Sequence, residues 1–271
     1  MAGVDYWNPR GEEKIAAGTA GNQAHFPIFY RNARGNLVRL TEAEGHTVNK
    51  NPETADKNTI GLLAAKTVVK SYRDTFDKNI IITHEQGDPD SNYEFFAEFG
   101  RRGYTGKNAV VEVVMGDFGY HEPDAGGNKD VIYAERMNMT VTVSSEDFTA
   151  GTLAVSFSQA GDKEYGVLRF EGDSVYPVFV PSSKRAVTAI VPGNDDVTVQ
   201  VGAEATVEIK LAPLGSPLGF LAASDDATKC TVEIVRNSVV IRGVAAGTAT
   251  VTVTSASNAS RTAEIDVTVT A

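Results

Sequence analysis

The chain reads as mainly β, in two parts. The first is a β-sandwich or open barrel closed by one packed α-helix, and the second is a shorter β-sandwich. Three observations predict this. Alternation of apolar and polar residues at period two runs through much of the 271 residues. Only residues 90–103 carry a helix pattern. Near residue 186 the texture changes, and aromatic residues give way to short strands rich in Val and Thr.

The helix is marked at both ends. Ser91 is placed to cap it, Glu94 sits three residues on as in a capping box, and Gly103 supplies the stop. On a 3.6-residue wheel Tyr93, Phe95, Phe96, Ala97, Phe99 and Gly100 share one face. Glu94, Glu98, Arg101 and Arg102 share the other, with Glu98 and Arg102 at the favourable i,i+4 spacing. Phe95, Phe96 and Phe99 are a large apolar load, so the helix must lie on a sheet.

Taken in order, residues 2–22 are polar and glycine-rich and read as an arm or loop. Residues 25–30 and 36–41 read as strands around the turn 31–35. Residues 45–65 are weakly patterned and read as a long loop, a feature usually functional in a compact domain. Residues 66–72 and 78–84 read as two strands. After the helix comes a strand at 109–115, then a second long loop at 116–129, with Gly119, Pro123, Gly126 and Gly127. From Arg136 the next strand alternates cleanly: Met137, Met139, Val141 and Val143 face one way, and Asn138, Thr140, Thr142 and Ser144 the other. Residues 152–158 and 163–171 form a hairpin, 174–180 a further strand, and 181–185 a linker.

Beyond the linker Phe220 is the only aromatic residue. Inward faces are marked by Val197, Val199 and Val201; Val207, Ile209 and Leu211; Val232 and Ile234; Ala249, Val251 and Val253; and Ile265, Val267 and Val269. Six or seven such strands in this length read as an antiparallel Ig-like sandwich. The domain division is therefore 1–183 and 184–271.

Composition narrows the function. Net charge is −10. Residues 1–185 hold 26 acids and 20 Lys and Arg, and residues 186–271 hold 9 and 5. Neither part offers the basic face of a nucleic-acid binder. Residues 1–10 carry Asp5 and no apolar run, so no signal peptide is read there, and synthesis in a cytoplasm without ordinary export is expected. No stretch approaches a membrane span. Cys230 is alone and reads as a buried strand residue. His25, His46, His84 and His121 lack ligand spacing, so no metal and no other cofactor is expected. Asp88 and Asp90 read as a turn and helix entry, and no phosphate-binding or nucleophile-elbow motif occurs. An enzyme is not expected.

The C-terminal run Val239-Val240-Ile241-Arg242-Gly243-Val244-Ala245-Ala246-Gly247-Thr248-Ala249-Thr250-Val251-Thr252-Val253 is a strand, a Gly-x-Ala-Ala-Gly-Thr turn and a strand. It resembles the group 2 bacterial Ig-like domains. A β-domain of this size with one amphipathic helix, two long loops and such a module at its C-terminal end resembles the major tail tube protein of long-tailed, non-contractile bacteriophages. That resemblance implies a structural virion protein of the tail, made in the host cytoplasm. Its homohexameric rings would stack into a tube with an acidic lumen for DNA delivery, with the Ig-like domain displayed outside. Its implied partners are further copies of itself, a tape measure protein, and tail terminator and tip proteins. Double-stranded DNA passes without specific binding, and the Ig-like domain has at most weak contact with a cell-surface glycan.

The resemblance assigns residues to roles. Lumen candidates are polar-face residues: Glu112, opposite Val111, Val113 and Met115, with Asn138, Thr140 and Thr142. Glu135 joins them only if a bulge near Arg136 turns it from the face of Met137 and Met139. Contacts between subunits or rings are expected from the polar arm and loop: Trp7, Glu12, Glu13, Lys14, Asn49, Lys50, Asn51, Asp56 and Lys57. An exposed Trp7 is costly, so it docks either on a neighbour or on its own domain. Two rival readings are a bacterial surface or secreted adhesin or glycan binder using the Ig-like domain, which the missing signal peptide disfavours, and a polysaccharide-degrading enzyme, which lacks the acid pair and aromatic cluster it needs.

Overall fold

A computed structural model of the chain describes residues 26–41, 43–44, 47–57, 66–83, 88, 90–123, 130–171 and 174–271. Two compact units are present: Met1–Glu164 with Leu168–Phe179, and Val180–Ala271 with Tyr165–Val167. The chain is mainly β with one packed α-helix among the described residues.

The first unit is built on strands β1 (Ile28–Arg31), β2 (Leu37–Arg39), β3 (Ala43–Glu44), β4 (Asn49–Lys57) and β5 (Lys66–Ile81). Helix α1 (Asn92–Arg102) follows, then β6 (Val110–Pro123), β7 (Asp130–Asp147), β8 (Thr152–Gln159), β9 (Glu164–Phe170) and β10 (Pro177–Pro181). Among the described residues these ten strands join in the order β2-β1-β6-β7-β8-β5-β3, with β4 paired to β5, and β9 paired to both β7 and β10.

Helix α1 forms where the capping signals place it. The Ser91 side chain accepts from the Glu94 amide, and Gly103 closes the helix at φ +61° with its N–H on the Gly100 and Phe99 carbonyls. Glu98 and Arg102 pair at 3.1 Å. Gly100 lets the helix lie close to the sheet, because a Cβ there would meet Val143 Cγ1 at 3.1 Å. The phenylalanines go down onto the sheet as expected. Phe96 is wholly buried and Phe99 nearly so, while Phe95 is half-buried and packs its ring 4.7 Å from that of Tyr30. Phe96 also meets Tyr30 at 4.8 Å and Phe157 edge-on at 5.4 Å, and Phe157 stacks on Phe76. Full burial of a ring such as Phe96 contributes about 2–3 kcal/mol. Val113, Met137, Met139 and Val155 complete this core. A second core, on the other face toward β9 and β10, holds Phe29, Val114, Ile132, Leu168 and Phe179.

Three expectations are corrected. The long loop at 45–65 is not a loop throughout: β4 occupies Asn49–Lys57 and pairs antiparallel with β5 over its whole length. The two strands expected at 66–72 and 78–84 are one strand of 16 residues. The second long loop is largely strand as well, since β6 runs to Pro123 and β7 begins at Asp130. Polar composition hid these strands because their pairing is between backbones. Gly116 looked like a loop glycine, but it lies within β6, where a Cβ would sit 2.7 Å from Ile132 Cδ1 and 3.2 Å from Pro27 Cγ and would push those side-chain atoms aside. Residues 2–22, including Trp7, Glu12, Glu13 and Lys14, lie outside the described residues, as do His25, His46 and His84.

The second unit packs two four-stranded sheets on one core. One is β11 (Ala189–Pro192), β13 (Glu204–Ala212), β16 (Ser238–Gly243) and β15 (Cys230–Val235). The other is β12 (Asp196–Gln200), β18 (Thr262–Thr270), β17 (Gly247–Ser255) and β14 (Phe220–Ser224). All pairs are antiparallel except β12 with β18. Eight strands appear where six or seven were counted. Val197, Val199, Val207, Ile209, Val251, Val253, Ile265, Val267 and Val269 are buried as patterned, and so is Cys230. Val201 and Ile234 are exposed instead: Val201 lies past the end of β12, and Ile234 lies where β15 turns off the core before Arg236 at φ +58°. The expected linker holds a short 3-10 turn at Ser182–Lys184.

Candidate functional site: the open face of the sheet

The register of β6, β7, β8 and β5 sorts every side chain to one of two faces. Val111, Val113, Met137, Met139, Val141, Val155, Phe157, Phe76 and Ile80 turn toward α1. The opposite face carries Asn138, Thr140 and Thr142 on β7, Ser156 and Ser158 on β8, and Thr75, Asp77 and Asn79 on β5. Asn138, Thr142, Ser158, Asp77 and Asn79 are exposed, and the others are half-buried. This central area is hydroxyls and amides with one formal charge, Asp77, and it contains no Lys or Arg. The cations of these strands point away from it or lie at its margins. Lys78 is buried on the α1 side, where desolvation pulls its pKa down to about 8.

Glu112 shares this face but not its openness. Arg31 donates to Glu112 Oε1 through Nε at 3.0 Å and Nη2 at 2.5 Å, and Arg136 Nη1 lies 3.9 Å from Oε2. Arg136 in turn pairs with Glu164 and lays its guanidinium 4.8 Å from the Phe179 ring centre. The carboxylate is thus held in a chain of two arginines and two glutamates whose charges cancel, at the β1 margin of the face. Glu135 lies on the other face. The β6–β7 register runs unbroken from Val110 to Asp117, so there is no bulge at Arg136, and Glu135 stays opposite Met115 and takes a hydrogen bond from Lys163 at 3.1 Å. Of the five lumen candidates, Asn138, Thr140 and Thr142 come together on the open area, Glu112 borders it, and Glu135 is turned away.

Asp77 is the residue that sequence reasoning missed. Its signal was the alternation Thr75, Asp77, Asn79 against Phe76, Lys78, Ile80. That pattern was hidden because residues 73–77 were read as a gap between two strands, and because an inward Lys78 breaks the apolar stripe.

The candidates on the former loop also divide. Asn49 and Asn51 stand opposite Thr75 and Arg73, on the side of the open face, and Asn51 donates to Thr75 Oγ1 at 2.9 Å. Lys50 turns to the α1 side, where it and Lys163 each reach Asp74 Oδ2 at 2.6 Å. Asp74 is fully buried, and its amide donates to Gln159 Oε1. Here β5 leaves the sheet: pairing with β8 begins at Thr75, and from Lys66 to Asp74 the strand pairs with β4 alone among the described residues. Nine residues at about 3.3 Å each give a two-stranded arm of about 30 Å. Asp56 and Lys57 lie in this arm, Lys57 opposite Lys66. No group of three metal-ligating side chains occurs among the described residues.

No family model and no curated protein matches the chain. Among solved structures it is similar to the tube-terminating cap of the anti-feeding prophage, at 11% identity over 56% of this chain and 95% of that one, with a TM-score of 0.32. It is also similar to the sheath/tube terminator of the extracellular contractile injection system PVC, at 9% identity over 55% and 99%, TM-score 0.33. The S-layer protein rSbsC(31-844) is similar at 14% identity over 84% of this chain and 40% of that one, TM-score 0.29. Likenesses this slight carry no argument about what the chain does. The functional reading rests on the residues and the geometry above.

Proposed function

We propose that the chain is a structural protein of a phage tail, whose first unit assembles into stacked homohexameric rings forming the tail tube. The open sheet face lines the lumen, α1 lies on the outer side, and the Ig-like unit is displayed from the exterior. The observation that carries this reading is the open face itself: an area on three strands, β7, β8 and β5, polar and free of cations at its centre, opposite the face on which α1 packs. A sheet with one face covered and one wet needs no second layer of its own. A conduit for DNA must not hold phosphates, and every Lys or Arg contact repeated ring after ring would add to retention. Hydroxyls, amides and Asp77 avoid that, with Asp77 acting by repulsion over about 8 Å at physiological salt. The arm supports the same reading, because an isolated two-stranded hairpin is marginal in water and needs a neighbour's surface. As in the tail tube proteins it resembles, its partners are further copies of itself, a tape measure protein and terminator and tip proteins, with double-stranded DNA in transit.

The test is negative-stain microscopy of the purified chain at high concentration. Rings or tubes of uniform width support the reading. Monomers that bind glycan support the adhesin reading instead.

A further inference from the structure

Where β5 passes from the sheet into the arm, the hydrogen-bonding partner changes. The ladder between β5 and β8 ends with Thr75 opposite Ser158, so the next rung would set Asp74 opposite Gln159. At that rung the Gln159 side chain takes over from the main chain. Its Oε1 accepts from the Asp74 amide at 3.0 Å, and its Nε2 donates to the Gly161 carbonyl at 2.6 Å. Strand β8 itself continues along β7, with Met139 opposite Gln159 and the Ala160 amide on the Asn138 carbonyl. Beyond Thr75, therefore, side chains tie the root of the arm to the sheet where a ladder would otherwise do so.

Four charged groups meet at this root. Asp74 Oδ2 accepts from Lys50 and from Lys163 at 2.6 Å each, and Lys163 also donates to Glu135 Oε2 at 3.1 Å. The Asp74 side chain is fully buried, and its Oδ1 has no hydrogen bond among the described residues, so Oδ2 carries the whole contact. Taking one partner from a buried ion pair is costly because it strands the other charge. These four groups can separate without that cost. Lys50 is the cross-strand neighbour of Asp74 and belongs to the arm. Glu135 on β7 and Lys163 at the start of β9 belong to the sheet. When the contact between Asp74 and Lys163 opens, Asp74 keeps Lys50 and Lys163 keeps Glu135. The Asp74 amide, released by Gln159, passes to water.

We infer that Asp74, Gln159 and Lys163 form a releasable latch at the root of the β4–β5 arm. Closed, it sets the direction in which the arm leaves the sheet. Open, it lets the arm turn about the junction of Asp74 and Thr75 with both ion pairs intact. Glu135 is the second seat of the latch, because it holds Lys163 when Asp74 lets go. Every group involved lies within one chain, so the latch stands apart from the tube reading.

The experiment measures the arm in the full chain by double electron–electron resonance. Spin labels are carried by Asp56→Cys on the arm and Glu98→Cys on α1, and Cys230 is buried and stays unlabelled. Labelled chain is diluted into unlabelled chain, so only distances within one copy are read. Lys163→Met removes the sheet's half of the latch and leaves Asp74 with Lys50. The distance distribution is expected to at least double in width, and Lys163→Arg is expected to restore most of the loss. Glu135→Gln removes the second seat and favours the closed state, so the open share of the distribution is expected to fall by at least half. A network with a merely structural role would loosen in both variants. A Lys163→Met distribution no broader than that of the labelled parent, or a Glu135→Gln open share no smaller, overturns the inference.

Discussion

Replacing Glu112 by Lys separates a structural carboxylate from a wall carboxylate. Glu112 is the acid that alternation alone ranks first for the lumen, yet it holds Arg31 and is flanked by Arg136. A hydrogen bond to a charged group contributes about 1.5–3 kcal/mol when shielded. The side chains here are 39% and 23% exposed, so the Arg31 pair is discounted to about 2 kcal/mol. Lysine also brings a third cation beside two arginines, and each like-charge contact at about 4 Å costs from about 1 kcal/mol in water to about 4 kcal/mol near a protein surface. Taking one such contact at its water-like value, the total is about 3 kcal/mol, or a fall of about 6–12 °C for a unit of this size. Asp77→Lys changes charge by the same amount on an exposed site and should move the melt by less than about 2 °C. All Tyr and Trp residues precede residue 186, and Tyr165 alone among them is grouped with the second unit, so near-ultraviolet circular dichroism follows chiefly the first unit in the intact chain. Equal melts for Glu112→Lys and wild type, or an Asp77→Lys melt as early as that of Glu112→Lys, would refute the reasoning.

Four further outcomes are expected. A chain ending near residue 180–185 should still form tubes, and soluble monomer alone under conditions where the intact chain assembles would show that the Ig-like unit is needed. Arm residues 49–66 and the N-terminal segment 2–22 should be cut by protease in monomer and protected in tubes; equal cleavage in both states counts against a role in assembly. Gly243→Ala places a Cβ 2.5 Å from the Gln200 carbonyl oxygen and 3.0 Å from Val269 Cγ1, and should cost the Ig-like unit about 1–3 kcal/mol in urea unfolding. The hydrogen bond from Tyr93, with help from Arg101 and against some desolvation, holds the Glu146 carboxyl below its ordinary value of 4.5. Its stabilisation is therefore complete above that value and lost as pH falls through the lowered one, so Glu146→Gln should flatten the acid limb of the melting curve.

The parts of the fold legible in the sequence are those fixed by local rules. Helix α1 was readable from Ser91, Glu94 and Gly103 because caps and amphipathicity act within a few residues. The sandwich was readable because Val and Thr alternate with little interruption from Val197 to Val269. The β4–β5 arm was not, since its pairing is between backbones and its side chains follow no apolar stripe. Strand β5 was cut in two because Asp74 and Lys78 stand inward, where apolar residues are expected, and the lysines that stabilise Asp74 come from 24 and 89 residues away. The open face was half legible: Asn138, Thr140 and Thr142 follow from alternation on β7. That Glu112 is occupied by Arg31, 81 residues distant, is a fact of the sheet order alone.

The central claim is that the open face of the sheet, and not the helix-covered one, looks into a channel. A cryo-electron microscopy reconstruction of the assembled chain measures this directly. The account predicts a hollow tube with Asp77, Asn138, Thr140 and Thr142 on the channel wall and α1 on the outer side. A solid filament, or a tube with α1 toward the channel and those four residues buried between subunits, would contradict it.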